Sequence, residues 1–192
     1  MSNPFISASN TVTSADVAVA RLGPRFGRMD LSSQLALLAV EPFAAHFDSV
    51  PRDHIAICLA ARAGSLSTDA EYWQGRDAAG GPSPTLFTYT LPSAAIGEIA
   101  IRHRLTGPGL CFVGGGDELL AEASDLIRRG EADGCVCVTA NVVSLALAEM
   151  IAAPPAASAS AFFVRRSEPR KSPAKPVTAQ ISRSPSVAKP QA

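Results

Sequence analysis

Apolar residues along the chain switch between helical spacing and short continuous runs, and the switches mark out the elements. Phe5 to Thr13 (FISASNTVT) predicts a short opening strand followed by a turn. Leu31, Leu35 and Leu38 then fall on one helical face, with Asp30 placed as the cap and Pro42 interrupting or ending the run. His54 to Ala60 (HIAICLA) has the length of a strand. Residues 61–84 are rich in Gly, Asp and Ser and predict a long connection. Leu91 to Arg104 predicts a helix, with Pro92 near its start and Ala94, Ala95, Ile99 and Ala100 facing inward.

The best-marked unit follows. Gly109 to Val113 (GLCFV) predicts a strand, and Gly114, Gly115 and Gly116 a tight turn. Asp117 is placed to cap a helix whose Leu119, Leu120, Ala123, Leu126 and Ile127 form one apolar face. Arg128 and Arg129 suit the negative end of that helix, and Gly130 its C′ position. Gly134 to Thr139 (GCVCVT) is a continuous apolar run, as expected for a strand buried on both faces. Ala159 to Val164 (ASAFFV) supplies a last strand. Strands alternating with helices predict a parallel or mixed sheet in an α/β layered fold.

Composition adds bounds. At 192 residues and 47% apolar, the chain has room for one folded domain and too many apolar residues to be wholly disordered. Its formal charge of zero hides a division. Residues 1–164 carry ten arginines, no lysine and 16 acidic side chains, a net charge of −6. Residues 165–192 carry seven basic side chains against Glu168 alone, a net charge of +6. That last stretch is Pro, Ser and Ala with almost no bulky apolar residue, and cannot bury enough surface to offset its ordering entropy. The expected organisation is a folded domain over residues 1–166 and a disordered basic tail over 167–192. The tail reads either as an electrostatic tether for an acidic partner or as a solvated extension. With no interleaved aromatics, and beside an acidic folded part, it does not predict nucleic-acid binding.

No stretch approaches the roughly 18 apolar residues of a membrane span, and the N-terminus lacks a basic-then-apolar signal. The four cysteines show no paired metal spacing. A cytoplasmic location with reduced thiols is expected.

The candidate chemistry is sparse. Gly114, Gly115 and Gly116, between a strand and a helix N-terminus, form either a plain tight turn or a turn that cradles a ligand with its backbone amides. The sequence there matches neither the P-loop nor the dinucleotide pattern, and Asp117 would repel a phosphate. Cys135 and Cys137 alternate along a strand, so both point to one face, where small apolar packing is their expected role. Cys58 and Cys111 lie in apolar runs and are also expected in the core. No cysteine sits at a helix N-terminus, where a thiolate would be stabilised. His46, His54 and His103 are scattered and suggest neither a metal set nor a catalytic pair, and no cofactor is expected.

Three segments, correct in order, resemble the N-terminal half of the β-ketoacyl synthases. Arg25 to Ala39 (RFGRMDLSSQLALLA) is similar to the family's R-x-M-D…Q-x-A-L-x-A helix. Ser83 to Gly107 resembles the stretch in which a Pro-Asn/Ser turn opens a helix ending in I-R-x-x-L-x-G-P. Gly107 to Val138 resembles the strand, nucleophile elbow, helix and strand that follow, with I-R-R-G-E-A-D nearly as the family has it. Phe5 to Thr13 and Ala159 to Arg166 correspond to the first and last strands of that half.

The resemblance implies a thiolase-like half-fold, a layered mixed sheet with flanking helices. The family's elbow carries a cysteine that takes an acyl group from a carrier protein as a thioester. Aligned on the family's G-P-x-x-x-x-x-T-A-C-x-x-G, that position falls on Gly116, and Cys111 is a weak alternative five residues earlier inside the strand. The segment TANVVSLALAEM lacks the family's Gly-Gly-x-Glu, and the sequence stops short of the second half with its two histidines and a lysine. Self-contained condensing activity is not expected.

Half of a two-fold-repeated fold is expected to expose an apolar face, and so to pair with itself or with a ketosynthase-like subunit. The family dimerises through the strand that is here Gly109–Val113. A carrier protein, usually acidic, is a further expected partner for the basic tail. The implied function is a non-catalytic accessory subunit, acting as a chain-length factor does in fatty-acid, polyketide or aryl-polyene-type biosynthesis. Two alternatives stay open: a split acyltransferase or ketosynthase completed by another chain, and an α/β module that binds a phosphopantetheine or coenzyme A group at the Gly-rich turn.

Overall fold

The computed structural model describes residues 4–77, 79–152 and 154–167. The chain begins with β1 (Pro4–Thr13), α1 (Ser14–Val19), α2 (Leu31–Val40), α3 (Ala44–Phe47) and β2 (Ile55–Ala61). It continues through α4 (Leu66–Gln74), α5 (Pro84–Phe87), α6 (Ala94–His103) and β3 (Gly109–Val113). α7 (Leu119–Arg129), β4 (Gly134–Val143), α8 (Leu145–Met150) and β5 (Ala156–Arg166) complete it. The sheet has the order β1-β5-β4-β2-β3. β3, β2 and β4 run parallel, while β5 and β1 are added antiparallel. The expected mixed α/β sheet with flanking helices is the observed architecture. Of the expected tail over 167–192, residues 168–192 lie outside the described residues. Among the described residues no helix is long and apolar enough to cross a membrane.

Asp30 caps α2 as its position predicts, accepting from the Ser33 amide at 3.1 Å. The helix is not one-faced, however. Leu35, Ala36, Leu37, Ala39 and Val40 are all buried, because β4 and β5, α6, β1 and α1 surround it. One face of the sheet, with Ile55, Ile57, Leu59, Val136, Val138 and Phe163, packs on this layer.

The other face packs on α7. Leu119, Ala123, Leu126 and Ile127 meet Ala56, Cys58, Ala60, Cys135, Cys137 and Val164. Gly130 ends α7 in the left-handed region (φ 77°), as predicted. Two local readings are corrected. Asp117 does not cap α7, whose first residue is Leu119 and whose cap, Glu118, makes no side-chain capping bond. Leu120 points away from the apolar face and is exposed.

Beyond α7, this side of the sheet shows no bare apolar face among the described residues. Beyond α7 the rows on this side of the sheet read Thr11–Ser160–Thr139 and Thr13–Ser158–Asn141. The Thr11 and Ser160 hydroxyls are hydrogen bonded at 3.0 Å. Ser9, Thr11 and Thr13 are exposed. The strands alternate, and every second residue on this flank is a hydroxyl or an amide, so water can satisfy it.

Candidate functional site

The Gly-rich turn sits where the sequence predicts it, as an elbow between the carboxyl end of β3 and the first turn of α7. It is anchored at both ends. The Gly114 amide donates to the Ala61 carbonyl at 3.0 Å, and the Leu119 amide donates to the Gly116 carbonyl at 3.1 Å. Gly116 adopts φ +94°, a conformation that L side chains rarely take. A Cβ built there would stand 2.5 Å from Thr139 Cγ2 and 3.5 Å from both Ala60 Cβ and Leu119 Cδ1. Backbone and space therefore both require glycine. Gly114 and Gly115 are open to solvent by the same measure: a Cβ at Gly114 meets nothing within 4 Å, and one at Gly115 meets only Asp117 Oδ2 at 3.9 Å.

Cys111 lies at the centre of β3, exposed, not in the core as expected. β3 is the edge strand, so one flank of an apolar run remains uncovered. Burial alone raises its thiol above the ordinary range, and no cation or helix end lowers it. The other three cysteines are buried together beneath α7, as predicted. Cys135 Sγ is 3.5 Å from Cys58 Sγ and 3.8 Å from Cys137 Sγ. Its thiol neighbours Cys137 and Cys58, and then burial, hold Cys135 well above the usual thiol range. Cys137 Sγ donates to the Leu119 carbonyl. Among the described residues no group of His, Cys, Asp or Glu is arranged to hold a metal ion.

The histidines do not come together. His46 packs edge-on against Phe43 and Phe163. His54 Nδ1 lies 3.2 Å from Asp133 Oδ2. His103 packs on Phe47, and burial lowers its pKa.

At the carboxyl ends of β2 and β3, beside the elbow, is a groove of about 450 Å³ lined by Arg62, Gly64, Leu66, Pro92, Val113 and Ile151, among others. The sequence pattern does not show it, because α4, which gives Leu66 and Asp69 to its wall, reads as loop, and Ile151 and Ala152 come from the segment that follows α8. Asn141 Oδ1 accepts from the Arg62 amide at 3.0 Å, tying β4 to the start of this wall. A second missed cluster joins distant segments. Arg25 Nε and Nη2 donate to Glu98 Oε2 and Oε1 at 2.6 and 3.0 Å, and the Tyr89 hydroxyl donates to Glu98 Oε1 at 3.0 Å.

No family model and no curated protein matches the chain. Solved structures do. The ishigamide ketosynthase/chain length factor superposes with a TM-score of 0.69 at 21% identity, covering 89% of this chain and 64% of that one. A ketosynthase (ApeO) in complex with its chain length factor (ApeC) from Xenorhabdus doucetiae gives 0.66 at 17% identity, over 85% of this chain and 79% of that one. AntDE:AntF, a type II polyketide synthase acyl-carrier protein in complex with its ketosynthase bound to the hexaketide, gives 0.70 at 13% identity, over 87% and 63%. The chain thus spans 64% of the length of the first of these. The fold is the thiolase-like fold of ketosynthases and chain length factors.

Proposed function

We propose that the protein is a non-catalytic ketosynthase-like accessory subunit, acting as a chain length factor does in fatty-acid, polyketide or aryl-polyene-type biosynthesis. The observation that carries this reading is Gly116. It stands at the turn where the resembling family places its nucleophile, and Thr139 occupies the space a cysteine side chain would need. A thiol would gain activation there from the helix end and the turn amides; a glycine leaves those groups with no covalent chemistry to assist. Cys111 does not substitute for it, since its thiol is raised by burial and it lies within β3, eight residues before the first residue of α7. The role left to the domain is to dock and shape, through the uncharged edge β3 and the groove beside the elbow.

The test mixes the purified full chain with a candidate ketosynthase and its acyl carrier protein. Formation of a complex, with a change in product chain length, is the expected result. Absence of both binding and any change in product would overturn the reading.

A further inference from the structure

α7 lies over β2 and β4 and reaches Val164 of β5, and beyond it no described helix covers the rest of β5 and β1 on this side of the sheet. Strands stand about 4.8 Å apart, so the uncovered strip is roughly 10 Å wide, the breadth of one extended segment laid along it. Ser9, Thr11 and Ser160 form its floor, and Thr139 borders it. Two apolar side chains stand beside these hydroxyls. Leu120, one heptad before Ile127 and so on the same side of α7, is 45% exposed, and Ile6, opposite Val164, is 50% exposed.

The chain leaves the sheet at one end of this strip. Arg166, the last residue of β5, lies opposite Pro4, and its Nη2 donates to the Ile127 carbonyl of α7. Residues 168–192 follow, with five basic side chains against Glu168, a net charge of +4, while residues 1–167 carry a net −4. At the other end of the strip, where Gly116 approaches Thr139, Asp117 and Glu118 precede α7, and both are exposed.

We infer that residues 168–182 fold back over this strip, antiparallel to β5, so that the acidic partner of the basic tail is the folded part of its own chain. The inference goes beyond the accessory-subunit reading and does not depend on it. The eleven residues of β5 span about 36 Å. The fifteen residues of 168–182, extended, more than retrace that length. With a turn of about two residues after Arg166, Lys175 comes level with Ser160, six residues back along β5. Lys171 and Lys175 then approach the end of the strip that carries Asp117 and Glu118. Pro169, Pro173 and Pro176 favour an extended chain without internal hydrogen bonds, whose amides and carbonyls need partners outside themselves. The hydroxyls of the strip offer both donors and acceptors.

The test places a nitroxide spin label on Ala174→Cys in the full chain, with Cys111→Ser so that no other exposed thiol takes the label. Amide signals are compared before and after the label is reduced with ascorbate. The expected result is loss of the Thr11, Ser160 and Leu120 signals, with those of Leu38 and Ala100, on the opposite side of the sheet, retained. Asp117→Lys combined with Glu118→Lys, with circular dichroism confirming the fold, should return much of the lost signal. A mixture of spin-labelled chain and isotope-labelled chain without the nitroxide should show no loss.

Signals that all persist, or that fade equally on both sides of the sheet, overturn the inference. Loss in the mixed sample overturns the return within one chain and assigns the tail to a second copy. Loss undiminished by the two lysines overturns the charge pairing that directs the return.

Discussion

Arg25 and Glu98 lie 73 residues apart in sequence and face each other through two charge-assisted hydrogen bonds, at 2.6 and 3.0 Å. The carboxylate side is buried and the guanidinium is largely exposed. The pair ties the turn before α2 to α6, and Tyr89 completes it from the connection between α5 and α6. Removing the arginine leaves a buried carboxylate with the phenol as its one remaining partner in this group. Arg25→Ala should therefore lower stability, and only modestly, because the guanidinium is largely exposed and water reaches the vacated side. Denaturant unfolding of the two proteins under identical conditions measures the difference.

The phenol in this group predicts an alkaline transition. Burial, and then its hydrogen bond to Glu98, push Tyr89 up to about 12 from an ordinary value of 10. The folded state holds that proton more tightly than the unfolded chain does. Its contribution is fully present below pH 10 and is lost as the pH rises toward 12. The wild type should lose up to ~2 kcal/mol more than Tyr89→Phe over that interval, read from unfolding curves at pH 9 and pH 11.5.

Placing a cysteine at the elbow should cost stability. Gly116→Cys drives a Cβ against Thr139 Cγ2 from a backbone conformation that disfavours any side chain. A stability loss of about 2–4 kcal/mol is expected. Adding Thr139→Ala removes the opposing methyl and should recover part of the loss. Full stability in the single variant would show that the turn has room that the present geometry denies.

The thiols divide cleanly. Cys111 is exposed, while Cys58, Cys135 and Cys137 are sealed beneath α7. Ellman's reagent should titrate one thiol per native chain rapidly and all four in denaturant. Fast reaction of a second native thiol would contradict the packing of α7 on the sheet.

The parts that could be read from sequence were those whose signal is local. β2, β4 and α7 announce themselves because continuous apolar runs, a helical stripe and a C′ glycine are written in consecutive residues. α4 has the sequence of a loop because it is held from outside itself. Its Ser67 hydroxyl donates to the Val142 carbonyl, and its Thr68 hydroxyl donates to Asp30 Oδ2, the carboxylate that also caps α2. No periodicity in Leu66–Gln74 records those partners. Cys111 was misplaced for a related reason: a five-residue apolar strand looks the same in sequence whether it is central or at an edge. At the elbow the glycine-rich turn is legible in consecutive residues, but Thr139, which excludes a side chain at Gly116, comes from a strand 23 residues later. Asp117 shows how one residue of error in a helix start misplaces a cap, while Leu120 lies one position, about 100°, around α7 from the buried Leu119.

The hydroxyl rows on β1, β5 and β4 have a consequence for how such a molecule can be built upon. A further layer stacked over that flank would have to strip water from Ser9, Thr11 and Thr13. Each stripped hydroxyl without a replacement costs about 1–3 kcal/mol. The opposite flank is already filled by α2 and α6. A dry layer over the hydroxyl rows is thus discouraged, and only a partner that brings its own hydrogen-bonding groups can cover them without that cost.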